Sequence, residues 1–595
     1  MKDHHSFFIF HLSSFIFLLY YTEVSMSARK QRWVVGDPAP AAFINTLRDH
    51  PPLVATLLHQ RGMRDPQSVG AFLSVDYKSG MHDPFRMKGM DAAARRIAAA
   101  IAEGEPIAVY GDFDVDGVTA VTLLMQAITA AGGDIRPYIP HRVREGYGLN
   151  DEAAERLASE GVRLLITVDC GISNVAEVAH ARSLGLDVIV TDHHTPPAVL
   201  PDATAVVNPK QTGCEYPFKQ LVGVGIAYKL VQALSRLGVR MAVRGRDLLD
   251  VVALGTVADM GPLIGENRVL VKAGLDAVNQ TQRPGLRALI LAAGLSEGKV
   301  TSTDIGFMLG PRLNAAGRLN DAVLAYKLLL SDNDDAARRL AADLNLANRQ
   351  RQDLTKEVQA DARERIRALG KETQRIIILD DAGFQAGIVG LVAAKLVDEF
   401  ARPVMLIERG ETTSRGSARS IPGFNIIDAL SSCADLFVRF GGHSAAAGFT
   451  LPNERLPEME QQLLAYAAEH LPEELPAPQL QIDAETPLGA LNWELLEHLA
   501  VLEPFGQANP QPVLMSRRVR VTRAQARGAD GQHLKMRLDD GNGSPTYDAI
   551  AFRLGHLVEH FQQPRMIDIA YTLEANIWNG KRSLQLNIKD FRRAQ

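Results

Sequence analysis

Between Pro106 and Pro209 the chain repeats one pattern: a short run of Ile, Val and Leu, an acidic or polar loop, then an alanine-rich amphipathic stretch. That alternation predicts a parallel α/β sheet with helices on both faces. Its strands are the apolar runs Ile107 to Tyr110, Leu164 to Val168, Leu186 to Val190 and Ala205 to Val207, and helices such as Val118 to Ala131 lie between them. From Asn333 to Leu369 apolar residues recur at helical spacing, among them Leu340, Leu344, Leu354 and Val358, with no internal Gly or Pro. This stretch predicts one long bridging helix. Beyond it, Arg375 to Leu379 and Val404 to Ile407 read as strands around a helix from Ile388 to Glu399, a second and smaller α/β domain.

A Pro-rich linker at Leu471 to Pro478 closes that domain, and the texture then changes. From Gln511 onward, period-two alternation in Val519/Val521, Leu534/Met536/Leu538, Ile567/Ile569/Tyr571 and Leu584/Leu586/Ile588, with Gly-containing turns between, predicts a small antiparallel barrel of the OB type. The expected fold is therefore two α/β domains joined by a long helix, plus a C-terminal OB-like β-barrel. The expected divisions are an N-terminal region 26–105, a catalytic domain 106–332, the connecting helix 333–370, the second domain 371–472 and the barrel 473–595.

Composition agrees with this picture and adds limits. A chain of 595 residues exceeds one core, so about three or four domains are expected. With 46% hydrophobic and 22% charged residues it is neither a disordered chain nor a membrane bundle. The net charge of -5 excludes a uniformly basic coat but permits a local basic groove. Cys170, Cys214 and Cys433 form no C-x-x-C pair, which excludes a thiolate zinc framework and points to a reducing compartment, hence the cytoplasm. The run Phe7 to Tyr21 resembles a signal-peptide core, but it has one basic flank residue, Lys2, and no small-residue cleavage pattern, and it is too short to span a bilayer. Met26 then opens MSARKQRWV, so residues 1–25 are expected to be a misassigned start.

The candidate chemistry lies where the predicted strands end. Ile107 to Tyr110 runs into Gly111-Asp112-Phe113-Asp114-Val115-Asp116-Gly117, the next strand ends at Asp169, and the third leads to Asp192-His193-His194. Ligands bind in the crevice outside such carboxyl ends. Asp259 follows an apolar helix, Leu248 to Val257, able to deliver it to the same crevice. Crowded carboxylates repel unless a cation neutralises them, and the acidic loop holds no Lys or Arg. Oxygen ligands with one or two imidazoles suit Mn²⁺ or Mg²⁺. In an extended loop Asp112, Asp114 and Asp116 would face one side; helix capping, the duller alternative, accounts for one of them. Two cations about 4 Å apart suit hydrolysis of a phosphodiester, with Asp169 the candidate bridging ligand and His194 the candidate contact to the scissile phosphate.

GDFDVDG, VDCGIS, TDHH and ADMGPLIGENR, in that order and spacing, resemble the four N-terminal motifs of the DHH phosphoesterase superfamily. GGHSAAAGF at Gly441 to Phe449 resembles its DHHA1 motif, and the extra N- and C-terminal regions resemble those of the RecJ family. The resemblance implies a single-stranded-DNA-specific 5′→3′ exonuclease of DNA repair and recombination, with two Mn²⁺ or Mg²⁺ ions held by Asp114, Asp116, Asp169, His193 and Asp259; Asp112 also stands in the motif. It implicates Arg142 in a pocket for the 5′ phosphate, beside Tyr147, which is placed to stack on a base. It implies that Ser417 and Arg419 grip the terminal phosphate, that Gly442 and His443 meet the phosphate being cut, and that Arg312 and Asn314 line the substrate channel. Expected partners are single-stranded DNA with a 5′ end, single-strand binding protein and a helicase, with no membrane. Two other readings stay open: a DHH-family short-oligonucleotide nuclease or phosphatase, and a noncatalytic DNA-binding replication subunit.

Overall fold

Five parallel strands form the first sheet, in the order Ile135–Tyr138, Ile107–Gly111, Leu164–Val168, Asp187–Thr191, Ala205–Val207. Four were expected. The fifth, Ile135–Tyr138, escapes a search for apolar runs because Arg136 and Pro137 interrupt it, and it tolerates Pro because it is an edge strand. This computed structural model describes residues 31–142, 144–319, 321–475, 477–541, 543, 545–578 and 581–594, so the expected misassigned start at 1–25 lies outside the described residues.

Register explains why the acids converge. Gly111 pairs with Val168 and Val168 with Thr191, so Asp112, Asp169 and Asp192 are the next residues of three adjacent strands and form one row at the sheet's mouth. Met90–Glu103, Val115–Ala130, Gly223–Arg236 and Leu249–Ala258 pack into a large apolar core, while Asp151–Ser159 and Val175–Ser183 close a smaller one on the other face.

The long helix is present as Asp334–Ala368, 35 residues or about 50 Å, capped by the Asn333 side chain, which accepts from the Asp335 and Ala336 N–H groups. Its later turns pack Val358, Ala362 and Ile366 against helix Ala386–Phe400 and the second sheet. That sheet runs Arg439–His443, Ala446–Pro452, Thr413–Arg419, Val404–Arg409, Ile377–Asp381. Ser417 and Arg419 lie on strand Thr413–Arg419 of this sheet, and Gly442 and His443 on strand Arg439–His443.

Residues 74–475 and 504–509 make one compact unit, which contains both α/β sheets and the long helix; the remaining described residues make a second. In the second unit, Leu514–Arg527, His533–Asp539, Tyr547–Ala551, Lys581–Arg593 and Arg565–Trp578 form a five-stranded barrel that closes by pairing the last back onto the first. The N-terminal strand Arg32–Val35 pairs in parallel with Gln479–Ile482, and Trp33 Nε1 donates to Asp590 at 2.8 Å. Among the described residues no helix is long and apolar enough to cross a membrane.

Candidate metal centre and phosphate contacts

Helix Val115–Ala130 begins three residues earlier than its apolar pattern suggests, and this corrects the extended-loop expectation. Asp114 is its cap, accepting from the N–H groups of Asp116 at 2.8 Å and Gly117 at 3.1 Å. Asp116 lies in the first helical turn, and both its oxygens accept from the start of another helix, Gly223–Arg236: Gly223 N at 2.6 Å and Val224 N at 2.7 Å. The positive ends of two helices thus face the acids. Gly223 is required there, since a Cβ would lie 2.6 Å from the Cβ of Asp169. Capping and ligand placement are compatible roles for one aspartate.

Three groups of side chains each bring ligand atoms within 4.8 Å of one another: Asp112, Asp114 and Asp169; Asp116, His193 and Asp259; and Asp169, His193 and His194. Helix Leu249–Ala258 ends on Asp259, as its apolar pattern anticipates. Asp169 adopts a left-handed φ of 61°, an uncommon conformation that Asp tolerates better than most residues.

Burial works against charge here. Desolvation, with Asp114 adding repulsion, pushes the Asp112 carboxyl up to about 8, and the same two causes push Asp116 to about 7. Asp169 and Asp259 are raised well above the usual carboxylate range by burial and by neighbouring carboxylates. Burial and the charge of His194 drop His193 to about 3, leaving a neutral imidazole with a free lone pair.

The residues fit divalent cations on a direct observation. Asp169 Oδ1 and His193 Nε2 are 3.0 Å apart, yet both are buried without a hydrogen-bond partner, as is Asp112 Oδ1. Two ligands at right angles on one metal, each about 2.1 Å away, stand about 3 Å apart. Unpaired buried polar atoms are costly unless something else binds them.

His194 behaves differently from its neighbour. Burial alone would lower its pKa, but Asp192 outweighs that by a hydrogen bond at 2.7 Å and by charge, so the His194 pKa is raised above the ordinary imidazole value. Asp192 is itself fixed by the N–H groups of Ile172 and His194, each at 3.0 Å. Tyr147 Oη lies 3.0 Å from His194 Nδ1, and the ring of His443 lies parallel to that of His194 at 6.0 Å. His443 reaches this position from the edge strand because Gly442 takes a φ of 147°, where a Cβ would lie 2.3 Å from the Ala446 carbonyl oxygen.

A basic pocket adjoins the acids. The Arg142 guanidinium stacks 4.6 Å from the Phe113 ring centroid and is attracted by Asp112 and Asp114. Arg419 donates to Ser417 Oγ at 2.9 Å, beside Gly390 near the start of helix Ala386–Phe400. Arg318 joins them: burial and the charges of Arg142, Arg351 and Arg419 lower its pKa to about 9, the mark of cations gathered with too little counter-charge. Sequence analysis names Arg312 and Asn314 for the channel and leaves out Arg318, since nothing local separates Arg318 from Arg312. Arg312 turns away to Asn345 Oδ1 at 3.1 Å and Met308 O at 2.7 Å, and the half-buried Asn314 lies on the same helix, Gly310–Leu319.

The Glu266 and Arg268 side chains of the GENR segment are structural. Glu266 is fully buried, paired with Lys229 and accepting from Tyr216 Oη at 2.6 Å and His82 N at 2.9 Å, and Arg268 is buried and donates to Pro504 O at 3.3 Å.

Comparison with known proteins places these features in a lineage. Family models match over three segments: the DHH family, N-terminal domain at 106–256, the DHHA1 domain at 373–469 and the RecJ OB domain at 482–590. The single-stranded-DNA-specific exonuclease RecJ of Bacillus subtilis (strain 168) is 39% identical over 570 residues, covering 95% of this chain and 71% of that protein. Its Escherichia coli (strain K12) counterpart is 35% identical over 562 residues, covering 90% of this chain and 95% of that one. The crystal structure of RecJ in complex with Mn²⁺ from Thermus thermophilus matches with a TM-score of 0.80 at 31% identity, covering 95% of this chain and 80% of that one.

Proposed function

The chain belongs to the RecJ family of single-stranded-DNA-specific exonucleases, and from that premise we propose a residue-level account of a metal-dependent nuclease that degrades single strands from the 5′ end in DNA repair and recombination. Asp114, Asp116, Asp169, His193 and Asp259, with Asp112 beside them, would hold two Mn²⁺ or Mg²⁺ ions. Bound there, the metals supply an activated water and charge stabilisation for phosphodiester hydrolysis. The observation that carries this reading is the close, unbonded pair Asp169 Oδ1 and His193 Nε2.

The remaining residues bind and orient. Protonated His194, held by Asp192, donates to the scissile phosphate, and His443 closes over the same group from the second domain. Arg142, Arg318, Ser417 and Arg419 receive the terminal 5′ phosphate, which sets the polarity. Tyr147 stands against the first base, while Arg312 and Asn314 contact the strand farther along. The barrel serves as a strand holder, as OB folds do. Among the two other readings, a binding-only replication subunit would have no need of an intact set of acidic ligands, and every one is present. A short-oligonucleotide enzyme would have no need of the barrel.

By the same reading the protein works in the cytoplasm beside single-strand binding protein and a helicase, because the substrate must first be unwound. The decisive experiment uses end-labelled single strands with 5′ or 3′ phosphate and Mn²⁺, comparing wild type with Asp169→Ala. Mononucleotide release from the 5′ end by wild type alone is expected; equal activity of the variant would refute the metal site.

A further inference from the structure

Lys210 belongs to none of the motifs that bring the acids together, yet the turn that carries it is held against His194. It follows strand Ala205–Val207, whose carboxyl end adjoins Asp192: Thr191 pairs with Val207, and Asp192 N donates to Val207 O at 3.1 Å. The turn carrying it is pinned on both sides. Fully buried Asn208 donates through Nδ2 to His194 O at 2.9 Å and accepts from Lys210 N at 2.8 Å. Buried Gln211 donates to the carbonyls of Lys88 at 3.1 Å and Val206 at 2.9 Å.

The Lys210 backbone is thus fixed relative to His194, while its side chain forms no ion pair or hydrogen bond among the described residues. Its charge also acts on groups of the same centre. Asp192 and Asp259 attract it, and it disfavours protonation of His193 and of His443. These four residues come from the sheet, from the end of helix Leu249–Ala258 and from the edge strand of the second domain. A lysine serving only as counter-charge would close onto a carboxylate, and this one forms an ion pair with neither Asp192 nor Asp259.

We propose that Lys210 is a further substrate-binding residue, its ammonium gripping a non-bridging oxygen of the phosphodiester being cut. The proposal rests on the nuclease reading above. A point charge on a flexible stem suits an oxygen whose charge and position change as phosphorus becomes five-coordinate. His194 and His443 would be the other donors to that phosphate.

The test uses the full-length protein as Lys210→Met and Lys210→Arg. Binding of a 5′-phosphorylated single strand is followed by anisotropy in EDTA over a salt series, Mn²⁺ binding by calorimetry, and cleavage of strands carrying an Rp or Sp phosphorothioate at the terminal linkage. We expect Lys210→Met to lower the slope of log affinity against log salt by about 0.7, one phosphate contact on a single strand. It should lower kcat/KM about 100-fold, erase much of the Rp/Sp discrimination and leave Mn²⁺ affinity unchanged, with Lys210→Arg intermediate. Unchanged slope and discrimination together with tighter Mn²⁺ binding would overturn the proposal and make Lys210 a counter-charge to the ligands; an unaltered variant would also overturn it. A wild type without Mn²⁺-dependent cleavage would instead overturn the nuclease reading itself.

Discussion

Asp192 Oδ1 accepts from both the backbone N–H and the Nδ1 of His194, at 3.0 and 2.7 Å, so a single buried carboxylate sets the position and the charge of that imidazole. The neighbouring His193 has no such partner and stays neutral. Two consecutive histidines are thereby shifted in opposite directions, one toward ligating a cation and one toward donating a hydrogen bond.

Replacing Asp192 by Asn tests that division. His194 then loses the charge that raises its pKa, so its folded pKa falls and it deprotonates at lower pH. The alkaline limb of the kcat profile should shift to lower pH and kcat should fall about 10- to 100-fold, with Mn²⁺ affinity retained. A profile that keeps its alkaline limb would show that His194 does not act as the protonated donor.

Asp169→Ala should reduce metal-dependent cleavage at least about 1000-fold while leaving the protein folded. Removing one of four carboxylates whose ionisation burial opposes should also raise the metal-free melting temperature. Calorimetry without metal checks the second expectation independently of activity.

Stability without metal should depend on pH in a defined direction. Asp112 and Asp116 are raised from the usual value near 4 to about 8 and about 7, so the folded state holds protons that the unfolded state has released. Their contribution is complete below about pH 4 and is lost as pH rises toward 8. The metal-free melting temperature should fall across that window, Mn²⁺ should restore it most at the alkaline end, and Asp112→Asn should flatten the slope. A metal-free protein whose stability rises throughout the window would contradict the raised values.

Arg419→Ala removes a donor from the basic pocket. Affinity for a 5′-phosphorylated strand should drop about 10- to 100-fold, as losing a charge-assisted hydrogen bond implies, while affinity for the 5′-hydroxyl strand changes little. Equal losses for both ends would place the terminal phosphate elsewhere.

On the barrel, Arg517 pairs with Glu485 and Arg520 with Asp539, whereas the exposed Arg523 forms no ion pair among the described residues. Arg523→Glu should therefore weaken long-strand binding and reduce its salt dependence more than Arg520→Gln. Deleting the barrel is a poor substitute, because removal of Gln479–Ile482 strands its partner Arg32–Val35. Salt titrations of the two point variants decide it.

The α/β alternation, the long helix and the barrel were legible in the chain because each is a local periodicity: apolar runs bounded by loops, a 3.6-residue repeat without Gly or Pro, and strict alternation. The acids were legible for a related reason, since strand ends can be located from the runs that precede them. Strands such as Ile135–Tyr138 and Arg439–His443 were not, being edge strands with polar or glycine-rich sequences whose pairing supplies what their side chains do not.

What the sequence by itself determined is that acids and imidazoles stand where the strands end, and which element delivers each. Only the tertiary structure decided that Asp114 caps a helix while facing the site, that Asp192 hydrogen-bonds His194, that Arg318 is buried beside the charges of Arg142 and Arg419 while Arg312 turns to Asn345, and that the Lys210 turn is held against His194. Those outcomes depend on distances between residues far apart in the chain and on the water excluded around them. Burial and charge proximity arise only once separate segments are packed together, so no window of sequence contains them.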